Sequence, residues 1–258
     1  MSKNLFERGH SACAGCGVAI AVKIVIETLG KNTIAVMPPN CLSVFTIVPY
    51  ANLKIPAILS LFASTASMVS GISAYFKQKN KKVNVIALAG DGGTADIGLQ
   101  SLSAAIHRQH DFIYFCLNNQ AYMNTGNQKS SLTPEGVNTT YGPSDRKPKD
   151  MFKIVCAHDI AYAATTSIGY PYDLINKIRK AINIEGPKYI EILTPCPSGW
   201  GFDSRYIVKI SKMAVDCGFY KLEEFENGKL TKRKQVSHES KDNFFALQKR
   251  FRKSGDRK

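Results

Sequence analysis

Short apolar runs, rich in β-branched residues, alternate with helix-like segments along most of this 258-residue chain. The runs are apolar at consecutive positions, which is typical of strands that are buried on both faces. The predicted strands are 33–37, 55–60, 82–89, 112–117, 160–166 and 189–193, and the predicted helices are 17–29, 63–78, 96–108 and 172–183. This alternation indicates an α/β fold, with a mostly parallel central sheet and helices on both faces.

The net charge of +14 is concentrated in the last 30 residues, which hold eleven Lys or Arg against three Asp or Glu. We therefore predict one domain over 1–228 and a basic tail over 229–258. A short helix over 242–251, with Phe244, Phe245, Leu247 and Phe251, is expected to dock onto a partner subunit. No nucleic-acid-binding motif accompanies the basic residues, so nucleic acid is not expected as a partner.

The sequence gives no sign of a membrane protein. No apolar run approaches the roughly 20 residues that a membrane-spanning helix needs. The first residues, MSKNLFERGH, lack the apolar stretch of a secretory signal, so we expect a cytoplasmic protein. In a reducing compartment, the odd number of seven cysteines favours thiolate ligation or burial over disulfides.

The stretch LAGDGGTADIGLQSL, residues 88–102, joins a predicted buried strand to a helix through glycines and an aspartate. Ligands bind at the carboxyl edge of open α/β sheets, where glycines let the backbone approach a phosphate closely. The helix N-terminus offers free N–H groups to that anion. Asp91 in this turn, and Asn119 after the next strand, would lie at the same edge and supply oxygen ligands to Mg²⁺. The two motifs therefore predict a diphosphate cofactor held through a metal ion.

A C-x-x-C loop lies near the start of the chain, in HSACAGCG at residues 10–17. Four cysteine thiolates can form either a structural zinc site or an iron–sulfur cluster, because both use this ligand set. The residues by themselves leave both readings open. His10, just before the loop, has two interpretations: a role at the cluster or cofactor, or a cap on the loop.

The sequence GDG followed, after 25 residues, by Asn118-Asn119 resembles the signature of thiamine diphosphate enzymes. The longer stretch GDGGTADIGLQSLSAAIHRQHDFIYFCLNNQAYMNTGNQKSSLTP, residues 90–134, closely resembles the β subunits of pyruvate:ferredoxin oxidoreductases. The segment AYMNTG followed by QKSS and TP is specific to that group. The resemblance extends over roughly residues 8–228 and implies a thiamine diphosphate-binding fold for the predicted domain.

The resemblance also implies which residues contact the cofactor. The glycines and Asp91 would hold the diphosphate and its Mg²⁺, with further metal ligands from the Asn119 side chain and the Ala121 carbonyl. Asn124 would face the substrate as a catalytic residue. The implied cofactor-binding residues are Val18, Cys41, Gly90, Asp91, Gly92, Gly93, Asn119, Gln120, Ala121, Tyr122, Met123 and Asn124. Lys129, Ser130 and Ser131 have two interpretations: contact with diphosphate or coenzyme A, or a solvated loop.

In this family a proximal [4Fe–4S] cluster is held by four cysteines, whose positions correspond here to Cys13, Cys16, Cys41 and Cys196. Cys41 stands in PPNCLS and Cys196 in TPCPSGW. Zinc remains the alternative metal, and Cys217 is a rival for the fourth ligand. Cys116 and Cys156 are interpreted as core residues.

The resemblance implies oxidative decarboxylation of pyruvate to acetyl-CoA and CO₂, with coenzyme A as acyl acceptor and ferredoxin as electron acceptor. The glutamate that activates the cofactor comes from another subunit in this family, and Glu27, Glu135 and Glu191 lie outside the motifs. We therefore expect a hetero-oligomer with α-, γ- and δ-type subunits and no activity from this chain alone.

The chain departs from the family pattern at two places. Asn118-Asn119-Gln120 stands where Asp-Asn-Glu is common, and Ser64-Thr65-Ala66 is unusual. These changes keep open a different 2-oxo acid, of which 2-oxoisovalerate is the alternative. A second alternative is half of a non-redox thiamine diphosphate decarboxylase, from which the four cysteines distinguish a redox enzyme.

Overall fold

The apolar runs form one eight-stranded sheet in the computed structural model, which describes residues 4–45, 52–233 and 240–252. The strands of the chain are β1 (Thr33–Met37), β2 (Ala57–Leu59), β3 (Asn84–Gly90), β4 (Phe112–Asn118), β5 (Asn138–Thr139), β6 (Gly142–Pro143), β7 (Tyr162–Ser167), β8 (Pro187–Leu193), β9 (Glu223–Glu226) and β10 (Lys229–Arg233). The order across the sheet is β10-β9-β7-β8-β4-β3-β1-β2. All neighbours from β7 to β2 pair in parallel, and β9 and β10 add an antiparallel hairpin. The predicted mostly parallel sheet is confirmed.

Helices cover both faces of this sheet, as predicted. The helices are α1 (Gly17–Leu29), α2 (Thr65–Gln78), α3 (Asp91–Ala95), α4 (Leu99–His107), α5 (Met151–Cys156), α6 (Pro171–Ile182), α7 (Pro197–Trp200), α8 (Ile207–Asp216) and α9 (Lys241–Ala246). Successive strand side chains point to opposite faces. In β4, Ile113 and Phe115 pack with α1 and α6, whereas Tyr114 and Cys116 pack with α2, α4 and α5. Burial on both faces explains why the central strands are apolar at consecutive positions.

Two of the predicted elements differ in the structure. The run 55–60 was expected to be buried, but β2 is an exposed edge strand, in which Leu59 is 57% exposed. The helix predicted over 96–108 is shorter: α4 begins only at Leu99, and the exposed Ile97 lies in the turn between α3 and α4. Helices α5 and α8 and the β9–β10 hairpin were not predicted. Helix α5 has only six residues, which is shorter than the window that reveals a helical period.

The C-terminal tail packs against the rest of the chain. The predicted boundary at residue 228 falls in the turn of the β9–β10 hairpin. The predicted helix over 242–251 is shorter, with α9 followed by a 3₁₀ turn at Lys249–Phe251. Phe244 is fully buried against α8, and Phe245 and Phe251 lie around the ring of Phe219. These aromatic side chains therefore dock onto the chain itself, although Leu247 is exposed.

Within the described ranges, no helix is both long enough and apolar enough to pass through a membrane.

Candidate functional site

The glycine-rich turn follows β3 directly, and α3 begins at Asp91. The first N–H groups of a helix have no partner within the helix, so this turn presents donors at the carboxyl edge of the sheet. A glycine is required at position 92, because a Cβ there would lie 2.2 Å from the ring of Tyr122. The Tyr122 hydroxyl donates to Asp96 Oδ2 at 2.7 Å, which fixes the ring over the turn.

The Asn118-Asn119-Gln120 turn lies beside the glycine-rich turn, as predicted. In the parallel pairing of β3 with β4, Gly90 is opposite Leu117, so the two strands end side by side. Asn119 Oδ1 accepts the Ala121 N–H at 3.2 Å, and the Asn119 carbonyl accepts Trp200 Nε1–H at 2.8 Å. Gln120 has a positive φ of 67°, which turns the chain away from the sheet. The Asn119 side chain is thereby fixed next to the glycine-rich turn.

A cavity of about 290 Å³ lies between these two turns. Ten of the predicted cofactor-binding residues line it, namely Cys41, Gly90, Asp91, Gly92, Gly93, Asn119, Ala121, Tyr122, Met123 and Asn124. Two others do not: Val18 lies in the first turn of α1 and is buried in the core, and the Gln120 side chain bonds to Arg250. Four lining residues were not predicted, namely Pro39, Asn40, Phe62 and Thr125. Pro39 and Asn40 directly precede Cys41, and Thr125 follows Asn124, so these three lie next to predicted residues. Nothing in the sequence singled out Phe62.

Asp91 is a buried carboxylate at the floor of this cavity, with 1% of its surface exposed. Burial raises its pKa to about 7, and the charges of Asp96 and Glu191 add to this, while the hydrogen bond from Ser130 Oγ lowers it. Of the loop residues Lys129, Ser130 and Ser131, the structure thus brings Ser130 to the site. Lys129 instead forms an exposed ion pair with Asp145. A bound cation would favour the ionised form of Asp91.

Glu191 is a second buried carboxylate near the same edge, but it belongs to a different cavity. It accepts hydrogen bonds from Asn118 Nδ2 at 2.9 Å and from the hydroxyls of Tyr189 and Tyr220 at 3.0 Å. Burial raises its pKa, and these three donors lower it. Glu191 lines a neighbouring cavity of about 340 Å³, together with Asn118 and Gln120. Among the described residues, no glutamate lines the cavity above Asp91.

Cys13, Cys16, Cys41 and Cys196 carry free thiols on three segments of the chain, and Cys41 lines this cavity. Gly17 allows the C-x-x-C loop to approach the end of β8, because a Cβ there would lie 2.6 Å from the Pro195 carbonyl. Burial raises the pKa of Cys41 to about 12, with further contributions from the charges of the other three thiolates and of Asp91. Cys41 is therefore close enough to the other three cysteines and to Asp91 for their charges to raise its pKa.

Two of these sulfurs also accept backbone N–H groups. Val18 and Ala19, at the start of α1, donate to Cys16, and Gly199 donates to Cys196 Sγ at 3.4 Å. Such bonds stabilise thiolates. Across the described segments, no group of three or more His, Cys, Asp or Glu side chains is arranged to hold a single metal ion.

The remaining predicted candidates lie elsewhere. Cys116 is buried in β4, and Cys217 is buried where its Sγ–H donates to the Ala214 carbonyl at 3.7 Å. Cys156 ends α5 on the far side of the sheet from α1. His10 packs against Phe6, with ring centroids 5.1 Å apart. The structure does not bring Cys116, Cys156 or Cys217 to the meeting point of the other four cysteines.

Comparison with known proteins identifies the class of this fold and site. Residues 44–192 match the thiamine pyrophosphate enzymes, in their C-terminal TPP binding domain. The fold is similar to a 2-oxoglutarate:ferredoxin oxidoreductase from Magnetococcus marinus, with a TM-score of 0.65 and 20% identity over 76% of this chain and 68% of that one. The predicted thiamine diphosphate-binding α/β fold is confirmed.

Curated relatives define the family more narrowly. Pyruvate synthase subunit PorB of Methanothermobacter marburgensis is 45% identical over 256 residues, covering 95% of this chain and 88% of the relative. Ketoisovalerate oxidoreductase subunit VorB of Pyrococcus horikoshii is 42% identical over 238 residues, covering 87% and 76%. The chain belongs to the β-subunit family of the 2-oxoacid:ferredoxin oxidoreductases, which are multi-subunit enzymes.

Proposed function

We propose that this chain is the β subunit of a pyruvate:ferredoxin oxidoreductase, which converts pyruvate and coenzyme A to acetyl-CoA and CO₂ and reduces ferredoxin. The observation that carries this proposal is the meeting of four free cysteines beside the cavity between the glycine-rich and Asn119 turns. A thiamine diphosphate enzyme that oxidises its substrate needs an electron acceptor next to its cofactor, whereas a non-redox decarboxylase does not.

The cavity has the donor set that a diphosphate and its metal ion require. Gly90, Gly92 and Gly93 would receive the diphosphate, and Asp91, Asn119 and the Ala121 carbonyl would hold Mg²⁺ through oxygen atoms. The raised pKa of Asp91, caused by burial, supports this assignment because the carboxylate has no cationic side chain bonded to it in the described chain. Bound thiamine diphosphate would supply the electron sink for decarboxylation. Asn124, which lines the cavity, would face the substrate.

Cys13, Cys16, Cys41 and Cys196 would hold a [4Fe–4S] cluster. Four cysteine thiolates are the donor set that such a cluster takes, and Cys41 lies near enough to the other three for their charges to act on its pKa. The N–H groups donated to Cys16 and Cys196 would tune its potential. The bound cluster would carry electrons away from the cofactor one at a time.

The chain would act only with its partners. The described residues place no glutamate in the cavity, and Glu191, the nearest buried candidate, is held by three donors on the other side of the Asn118 turn. The activating glutamate would therefore come from an α-type subunit, and γ- and δ-type subunits would complete the enzyme and pass electrons to ferredoxin.

Anaerobic purification of the native complex tests this function. With coenzyme A present, the complex should reduce a dye fastest with pyruvate among a panel of 2-oxo acids. Fastest reduction with 2-oxoisovalerate would instead support the second candidate, which the VorB relatives favour. Stoichiometric zinc without iron, or decarboxylation without dye reduction, would contradict an oxidoreductase.

A further inference from the structure

Arg250, in the basic tail, lies at the back of the candidate site. The tail returns to the body of the chain where the Lys249 N–H donates to the Gly201 carbonyl at 3.2 Å and Asn138 Nδ2–H donates to the Arg252 carbonyl at 2.6 Å. Between these two contacts Arg250 turns inward, and only 3% of its surface is exposed. A charged side chain from the basic tail is therefore placed in the interior.

The guanidinium of Arg250 is held by neutral groups. Nη1 donates to Gln120 Oε1 and Nε donates to Gln248 Oε1, both at 2.8 Å. Its central carbon lies 3.4 Å from the centre of the Trp200 ring. Nη2 has no hydrogen-bond partner, and Arg250 forms no ion pair within the described ranges. A buried cation without a counter-ion is costly, so its retention points to an anion that the isolated chain lacks.

The ionisable side chain whose charge acts on this cation is Cys196. The guanidinium stacks on Trp200, which belongs to the same helical turn as Cys196. The backbone N–H of Trp200 donates to the Cys196 carbonyl at 2.8 Å. Burial lowers the pKa of Arg250, and the charge of the Cys196 thiolate acts in the opposite direction. Arg250 is thus packed against the helical turn that begins at Cys196.

We propose that Arg250 is a positioning residue whose buried positive charge raises the reduction potential of the cluster that Cys196 would ligate. This inference rests on the proposed function. Reduction adds one electron, and therefore one negative charge, to the cluster and its thiolates. A fixed cation in a low-dielectric interior stabilises that added charge more than it stabilises the oxidised cluster, which favours reduction.

The experiment is a redox titration of the purified four-subunit complex, in which dithionite supplies the electron and the reduced cluster is followed by its electron paramagnetic resonance signal. The signal is assigned to this cluster by its loss in Cys196→Ser. Arg250→Met should make reduction roughly tenfold less favourable, which for one electron is about 59 mV. A midpoint potential equal to that of the unaltered complex would overturn the proposal.

A second pair of variants separates charge from packing. Gln248→Glu keeps Arg250 and places a carboxylate against Nε, so it should lower the potential in the same direction as Arg250→Met. Both variants lose the hydrogen bond from Gln248 Nε2 to the Phe244 carbonyl at 2.7 Å, and Gln248→Met also loses the acceptor for Arg250 Nε without adding charge. It should leave the potential unchanged. Equal shifts of the midpoint potential in the two Gln248 variants, or no shift in Gln248→Glu, would overturn the role of charge. If the Arg250→Met complex does not assemble, this pair of variants decides the question.

Failure of this inference is distinguishable from failure of the proposed function. If the unaltered complex shows no cluster signal that depends on Cys196, the proposed function is wrong. If the signal is present and its potential does not respond to charge at Arg250, only the inference is wrong.

Discussion

Two buried carboxylates near the same edge of the sheet, Asp91 after β3 and Glu191 in β8, are stabilised to different degrees. Glu191 receives hydrogen bonds from three side chains, whereas Asp91 receives a side-chain bond from Ser130. Burial raises the pKa of both, and it brings that of Asp91 to about 7. A carboxylate surrounded by donors is a structural group, whereas one with unused lone pairs facing a cavity has room for a cation. The comparison therefore distinguishes Asp91, the proposed metal ligand, from Glu191 without reference to either motif.

The largest expected effect comes from removing the charge of Asp91. In the complex, Asp91→Asn should weaken Mg²⁺-dependent binding of thiamine diphosphate by at least about 100-fold, because loss of a direct ligand exceeds the 10–100-fold cost of losing an outer-shell partner. Glu191→Gln is the matched control, because it also replaces a buried carboxylate by an amide, but at a position where three side chains already donate to the carboxylate. Calorimetric titration measures both, and similar losses of affinity in the two variants would contradict the distinction.

The second prediction concerns the hydrogen bonding of Glu191. Asn118→Asp replaces a donor 2.9 Å from Glu191 by a carboxylate, so the pair must share a proton. At pH 8 we expect a loss of about 2 kcal/mol of stability, or about 5 °C in the melting temperature. The folded pair has a pKa above its value in the unfolded chain, so the folded state binds more protons and the loss should grow as pH rises.

Thermal denaturation of the variant complex at pH 5.5 and pH 8 measures this dependence. Stability equal to that of the unaltered complex at both pH values would show that the Asn118 contact does not control Glu191.

The third prediction uses the pKa of Asp91. A protonated carboxyl group cannot hold Mg²⁺, so binding below about pH 7 must displace a proton. The affinity for Mg²⁺ and thiamine diphosphate should fall by up to about tenfold per pH unit below that pH and level off above it. Binding titrations between pH 5.5 and 8.5 give this profile. The same pH dependence in Asp91→Asn would assign the proton to another group.

Much of the fold, and the part of the site formed by Asp91 and Asn119, could be predicted because the sequence patterns that indicate them are local. Strands β3 and β4 are continuous apolar runs, and each ends in its own motif, so the meeting of Asp91 and Asn119 follows from parallel pairing. The cysteine positions were transferred from a family pattern. Their convergence depends on contacts between distant segments, such as that of Gly17 with Pro195, which no spacing encodes.

The rest of the site depends on tertiary contacts that leave weak signals in the sequence. Arg250 lies in a basic segment that is typical of a solvated tail, and its burial follows from the stacking of one guanidinium on Trp200. Phe62 lines the cavity because the chain after the edge strand β2 folds back over the glycine-rich turn, within 3.5 Å of a Cβ built at Gly93. Neither position belongs to a motif or to a periodic face.

The smallest expected effect comes from the single hydrogen bond that Ser130 donates to Asp91. Ser130→Ala removes the hydroxyl that donates to Asp91, so the carboxylate becomes less favourable and its pKa rises further, by about one unit. The pH at which cofactor binding weakens should move upward by the same amount, with affinity at pH 7 reduced several-fold and affinity at pH 8.5 nearly retained. Ser131→Ala is the control, because Ser131 contacts the site through its backbone N–H to Asp96 at 3.2 Å. An equal shift in both variants would mean that the loop, and not the hydroxyl of Ser130, sets the charge of Asp91.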